Sequence, residues 1–151
     1  MTTNARTSRF VKSHSRNGNG PVIVQLVPTL VRGGVERGTI EMARAIIEAG
    51  GHAVVLSGGG PMVRHLDRLG ATHHQIPVGV KNPLSWGALR RQVRRVLVDE
   101  GADIVHVRSR MPAWIALPAA KSLGLITVST IHGRFQNSSM LKRIFNSKIL
   151  M

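Results

Sequence analysis

The sequence predicts an α/β fold, a parallel sheet covered by helices on both faces. Two observations lead there. From residue 22 onward, short β-branched runs alternate with stretches of helical periodicity in a nearly regular rhythm. Such alternation implies right-handed strand–helix–strand crossovers and hence a parallel sheet. The chain also has 151 residues, 42% of them hydrophobic, which suffices for one well-buried core and falls short of two ordinary domains.

Taken in order, the first strand is expected at 22–27, an apolar run that turns through Arg32, Gly33 and Gly34 into a helix at 35–49. That helix carries Ile40, Ala43 and Ile47 on one stripe with Glu41, Arg44 and Glu48 beside it, the pattern of a half-buried helix. Gly50 and Gly51 end it before a strand at 53–57. A helix at 61–69 and a strand at 73–78 follow. The next helix, 84–100, points Leu89, Val93, Val96 and Leu97 inward. Its Arg90/Arg94 and Arg91/Arg95 pairs, four residues apart, cover one broad face. A solvated face is the first reading of that patch, attraction to anionic lipid headgroups the second. A strand at 104–107 leads to a helix at 112–123, where Pro112 suits the first turn and Pro118 is expected to kink the helix or delay its start. The last strand is expected at 126–131. Beyond it, Leu141, Ile144, Phe145 and Ile149 recur at helical spacing among Lys142, Arg143 and Lys148. They read as an interfacial helix or, preferably, as one whose apolar face packs on parts absent from this chain.

Composition narrows the chemistry. The absence of cysteine excludes disulfides, thiolate metal sites and a cysteine nucleophile. A net charge of +14, from 21 Lys and Arg against 7 acids, points to anionic partners: nucleic acid, an acidic membrane surface, or phosphorylated and nucleotide-activated substrates. No Tyr, three Phe and two Trp leave few platforms for stacking bases, so nucleic acid is disfavoured. No run reaches the roughly 18 apolar residues of a membrane span. Residues 1–20 read as a disordered basic tail. Gln25 and Pro28 break the apolar run after it, and no small-x-small pattern follows closely, so a secretory signal is not expected.

In an open parallel sheet, ligands bind at the carboxyl ends of the strands. The loops expected there contain Arg32, Gly33 and Gly34; Gly58, Gly59 and Gly60; Gly79 and Lys81; Arg108, Ser109 and Arg110; and His132, Gly133 and Arg134. Together they predict a basic, glycine-lined cleft for phosphate or diphosphate groups. Gly33 and Gly34 stand at a helix entrance, where free N–H groups and the helix dipole favour an anion. A tight turn alone also accounts for one such glycine. Adjacent His73 and His74 point to opposite faces of a strand and cannot easily share a metal. With His65 they read as surface or edge residues, and no metal site is expected.

GGVER (33–37), EMARAIIEAGGHAVVLS (41–57), DIVHVRSRMPAW (103–114) and TIHGRF (130–135), in that order, resemble the N-terminal domain of family 4 retaining glycosyltransferases, as found in lipopolysaccharide and other cell-surface glycan synthesis. The resemblance covers residues 21–147. It implies a Rossmann-like parallel sheet flanked by helices, the N-terminal half of a GT-B fold. In that fold the N-terminal domain holds a glycan or lipid-linked acceptor and the C-terminal domain grips a nucleotide-sugar donor. It implies that Gly33 and Gly34 form the glycine-rich loop near donor diphosphate and acceptor, and that His132 hydrogen-bonds the transferred sugar as the catalytic histidine. Arg108, Arg110 and Arg134, inferred from charge and placement, contact an anionic acceptor. No cofactor or metal is implied. Two glutamates in an E-x7-E arrangement belong to the family's C-terminal half, and no glutamates here have that spacing. The expectation is therefore a chain ending at 148–151 before the donor-binding domain, with little or no transfer activity alone. It is expected in the cytoplasm, peripheral on the inner face of the membrane. The alternative from another class is a non-catalytic basic module binding anionic membrane or nucleic acid. A dinucleotide-dependent oxidoreductase is disfavoured, because no G-x-G-x-x-G follows the first strand and no acid ends the second.

Overall fold

The computed structural model describes residues 20–130. They run β1 (Val22–Leu26), α1 (Gly34–Glu48), β2 (His52–Ser57), α2 (Val63–Leu69), β3 (Thr72–Gln75), α3 (Pro83–Asp99), β4 (Ile104–Val107), α4 (Arg110–Ser122) and β5 (Ile126–Ser129). Every strand pairing is parallel, in the order β3-β2-β1-β4-β5. β1 is central, with Val24 beside Val54 of β2 and Val105 of β4.

Side chains of the central strands are apolar on both faces because helices cover both. On one face Val24, Leu26, Leu56 and Val107 pack against Leu89, Val93 and Leu97 of α3 and Ala113, Ala116 and Ala120 of α4. On the other, Val55 and Ala53 pack against Ile40, Ala43 and Ile46 of α1 and Leu66 of α2. Ile46, rather than the expected Ile47, is the buried member of the α1 stripe, joined by Thr39. One residue in the middle of β1 departs from the apolar rule: Gln25, with no exposed surface.

Prolines set several of the ends that the sequence pattern misplaced; the last strand, expected to reach 131, stops at Ser129 without one. The third strand, expected to reach 78, stops at Gln75. Ile76 still donates its N–H to the Ser57 carbonyl at 2.8 Å, but Pro77 has no N–H to continue the ladder. α3 starts at Pro83, with the Asn82 side chain accepting from Leu84 N. α4 begins at Arg110, before Pro112, and continues through Pro118. Pro118 cannot donate to the carbonyl four residues earlier, that of Trp114. Instead Arg90 Nη2 donates to that oxygen at 3.4 Å, tying α3 to α4. Arg90 is therefore half-buried and leaves the solvated face, which keeps Arg91, Arg94 and Arg95. Trp86 stacks on Trp114 across the same interface, ring centres 5.9 Å apart. The basic tail and the apolar spacing at 141–149 lie outside the described residues.

Candidate functional site

From β1 the sheet extends one way to β2 and β3, and from β4 the other way to β5. The loops leaving β1 and β4 therefore diverge and open a crevice at the carboxyl end of the sheet. A cavity of about 170 Å³ occupies it, lined by Val27, Pro28, Val35, Glu36, Arg108, Ser109 and Arg110.

Its first wall is the entrance to α1. Gly33, the N-cap, has φ 149° and ψ 179°, a conformation other residues adopt only under strain. A Cβ there would lie 2.5 Å from Glu36 Oε2, so the Glu36 carboxylate folds back over the helix entrance, where it complements the dipole. Gly34 differs: a Cβ on it would meet nothing within 4 Å. The two glycines thus differ: one permits the turn and the other faces open space.

Arg108 forms the second wall. Its N–H donates to the Leu26 carbonyl at 3.0 Å, extending the ladder between β1 and β4 by one residue. Its side chain turns back under α1 and is only 6% exposed. Nη1 donates to Gln25 Oε1 at 3.2 Å, and Gln25 Nε2 donates to the Thr39 carbonyl of α1 at 3.1 Å. The Thr39 hydroxyl in turn donates to the Val35 carbonyl at 2.8 Å. Gly38 lets the guanidinium lie against the helix, since a Cβ there would stand 2.8 Å from Nη2. Arg108 Nε has no hydrogen-bond partner, and among the described residues no carboxylate lies within 4 Å of the guanidinium. Burial lowers the Arg108 pKa from its ordinary value; an arginine nonetheless stays charged. Ser109, the N-cap of α4, makes no side-chain cap bond, and Arg110, the first residue of α4, completes the lining.

The other glycine loops do not join this wall. Gly58 N donates to the Pro28 carbonyl, Leu30 N to Gly59 O, and Met62 N to Leu30 O, each at 2.9 Å. A Cβ on Gly60 would lie 2.5 Å from the Leu30 carbonyl carbon, and one on Gly79 would lie 2.9 Å from Pro28 Cβ. These glycines stitch neighbouring loops to the segment after β1 rather than facing a ligand, and Lys81 does not line the cavity. The β3 histidines lie on an edge strand as expected but are not idle. His73 Nε2 shares a 2.8 Å hydrogen bond with the buried Ser57 hydroxyl, which also accepts from Gly59 N. His74 Nε2 bonds Glu100 at 2.7 Å. Among the described residues, no group of three or more His, Cys, Asp or Glu is placed to hold a metal ion. Nor, among them, is any helix long and apolar enough to cross a membrane.

Of the residues predicted from sequence, Arg108 and Arg110 line this cavity, and Gly33 and Gly34 stand at the start of α1, next to its lining residues Val35 and Glu36. His132 and Arg134 lie outside the described residues. Sequence reasoning missed Gln25, Glu36, Gly38 and Thr39. The available signal was Gln25 itself, a lone amide in the middle of an apolar central strand, where a buried polar group must have partners.

The family model described as Glycosyltransferase Family 4 matches residues 32–150. The chain belongs to this family. A crystal structure of a glycosyltransferase from Rickettsia africae ESF-5 aligns at 36% identity with a TM-score of 0.75, covering 87% of this chain and 35% of that one. CalG4, the calicheamicin glycosyltransferase, aligns at 15% identity and TM-score 0.55, covering 86% and 37% of the two chains. A UDP-N-acetylglucosamine 2-epimerase does so at 14% and 0.51, covering 86% and 40%. At the last two identities the likeness is one of fold. The fold is that of the N-terminal domain of a GT-B glycosyltransferase, and the chain spans between 35% and 40% of the length of these structures. Comparison with curated proteins gives no match.

Proposed function

We propose that this chain is the acceptor-side domain of a retaining glycosyltransferase. Together with a donor-binding domain it moves a hexose from a nucleotide-sugar to a glycan or lipid-linked acceptor, and alone it transfers little or nothing. The observation that carries the reading is the crevice between β1 and β4, which joins the glycine entrance of α1 to two arginines at the ligand-binding end of the sheet. Gly34 leaves room for the acceptor and donor to approach. Arg108 and Arg110, with Arg134, attract an anionic group, while His132 hydrogen-bonds the transferred sugar. Catalysis then rests on positioning and on electrostatic support of the leaving diphosphate. The reaction needs no metal or cofactor. The exposed Arg91, Arg94 and Arg95 on α3 support a peripheral location on the anionic inner face of the membrane.

The test is Gly34→Leu in the complete enzyme. The new side chain enters open space, so circular dichroism and melting should match wild type. Transfer should fall by about 100-fold, the scale of a misplaced reacting group; normal turnover would refute the assignment. The same exposed arginines allow a second reading, a non-catalytic basic module. Tight, sequence-independent DNA binding that survives physiological salt would favour it.

A further inference from the structure

Arg108 is a buried cation whose hydrogen-bond partner is a neutral amide. Burial of an ionised side chain is costly unless an opposite charge repays it, and among the described residues none stands within ion-pair distance. We propose that the cavity is a subsite for one phosphoryl group of the acceptor, seated between Arg108 and the N-terminus of α4, and that Gln25 is the residue that positions Arg108 for it. The inference rests on the transferase reading above and adds the chemical class of the acceptor.

Four features support it. First, the Gln25 carboxamide is engaged at both ends, by Arg108 at Oε1 and by the Thr39 carbonyl at Nε2. Its orientation is therefore fixed, and Gly38 lies close against Nη2 of the same guanidinium. A glutamate here would still accept from Arg108, but it would neutralise the guanidinium and lose the donor that bonds the Thr39 carbonyl; the amide holds Arg108 and leaves the charge whole. Second, two helix entrances open on this crevice, and they are not equivalent. Glu36 covers that of α1, whereas Ser109 leaves that of α4, a helix of 13 residues, without a side-chain cap. At that entrance Pro112 has no N–H and the Ala113 N–H already bonds the Ser109 carbonyl, so the Met111 N–H is the donor suited to an anion. Third, Arg110 adds a second cation to the lining. Fourth, about 170 Å³ is well below the ~300–1,000 Å³ of a site that encloses a whole small molecule. The cavity fits one group of a larger ligand, and a guanidinium beside a helix N–H matches a tetrahedral phosphoryl oxyanion.

The proposal is tested by titrating the 151-residue chain with inorganic phosphate, followed by NMR chemical shifts or calorimetry. Saturable binding is expected, at least tenfold weaker in Gln25→Glu, where an internal carboxylate takes the place of the ligand. In Glu36→Gln, which removes a competing carboxylate from the cavity wall, binding should be severalfold tighter. If Gln25→Glu does not fold by circular dichroism, the Glu36→Gln comparison decides. Equal affinity of wild type and folded Gln25→Glu, or unchanged affinity in Glu36→Gln, overturns the proposal. In the complete enzyme, Gln25→Glu should raise KM for a phosphorylated acceptor and leave donor KM unchanged; a rise in donor KM instead overturns the assignment to the acceptor. Should the phosphate result fail while Gly34→Leu still lowers transfer by about 100-fold, only this inference falls and the transferase reading stands.

Discussion

Replacing Gly38 with alanine sets two opposed effects against each other. A glycine inside a helix is less stable than alanine by about 0.5–1 kcal/mol, so with free space around it the substitution stabilises. Gly38 has no such space. The new Cβ would stand 2.8 Å from Arg108 Nη2, and ordinary contact begins at 3.4 Å. The guanidinium must therefore retreat by about 0.6 Å. Its 3.2 Å bond to Gln25 does not keep its geometry through a shift of that size. A hydrogen bond to a charged group contributes about 1.5–3 kcal/mol, more than the helix gains. The expected net effect of Gly38→Ala is a loss of about 0.5–2.5 kcal/mol, with weaker phosphate binding. Urea denaturation of the 151-residue chain measures it, with Gly87→Ala as control. Gly87 lies within α3 and a Cβ there would approach only Arg91 Nη1, at 4.0 Å, so that variant should gain about 0.5–1 kcal/mol. If Gly38→Ala gains as much as Gly87→Ala and binds phosphate normally, Arg108 is not held as described.

Two predictions concern the loop after β2. Gly60 has φ 142°, and a Cβ there would lie 2.5 Å from the backbone carbon and oxygen of Leu30, atoms that cannot swing aside. Gly60→Ala should therefore cost about 3 kcal/mol or more, seen as a large drop in Tm; an unchanged Tm would show that the loop contact is dispensable. His73 is held below its ordinary pKa of 6.5, first by burial and then by His74, with Asp67 opposing. Its ring shares a hydrogen bond with the Ser57 hydroxyl, and burial makes the charged ring costly there. Below pH 6.5 the unfolded chain binds the proton more readily than the folded one. The stability contributed by His73 is thus complete above that pH and lost as pH falls towards the folded-state pKa. Wild type should lose more stability between pH 7.5 and 5 than His73→Asn, and parallel pH profiles would contradict this account.

Much of the sheet was legible because its signals are local. β-branched runs, helical stripes and the glycines at 50 and 51 each act within a few residues, and they located every strand and helix of the described region. Two of the boundary slips, at β3 and α4, involve a proline, whereas β5 ends at Ser129, short of the expected 131, with none nearby. Pro77 ended the third strand through its missing N–H, while Pro118 did not break its helix because Arg90, twenty-odd residues earlier, supplies the donor that its carbonyl partner lacks. That compensation comes from another helix and leaves no mark on the sequence around Pro118. The glycine loops misled for a related reason. Residues 58–60 have the composition of a phosphate loop, yet the same freedom at φ serves close packing against Pro28 and Leu30. Composition does not distinguish a backbone that approaches a ligand from one that approaches its own chain.

The net charge of +14 indicated an anionic partner, yet charge counting gives every arginine equal weight and cannot say where that partner binds. Exposed cations such as Arg91, Arg94 and Arg95 are surrounded by water and screened by salt, so they attract anions weakly and without orientation. Arg108 is different because water is largely excluded from it and its position is fixed by Gln25. In such surroundings an interaction with an anion is both stronger and directional. What distinguishes it is a contact across 83 positions of sequence, possible only once β1 and β4 lie side by side. The parallel order that places them together also places the ends of α1 and α4 at the same crevice. Gln25, read from sequence as an interruption of an apolar strand, is then the residue through which the fold fixes its charge.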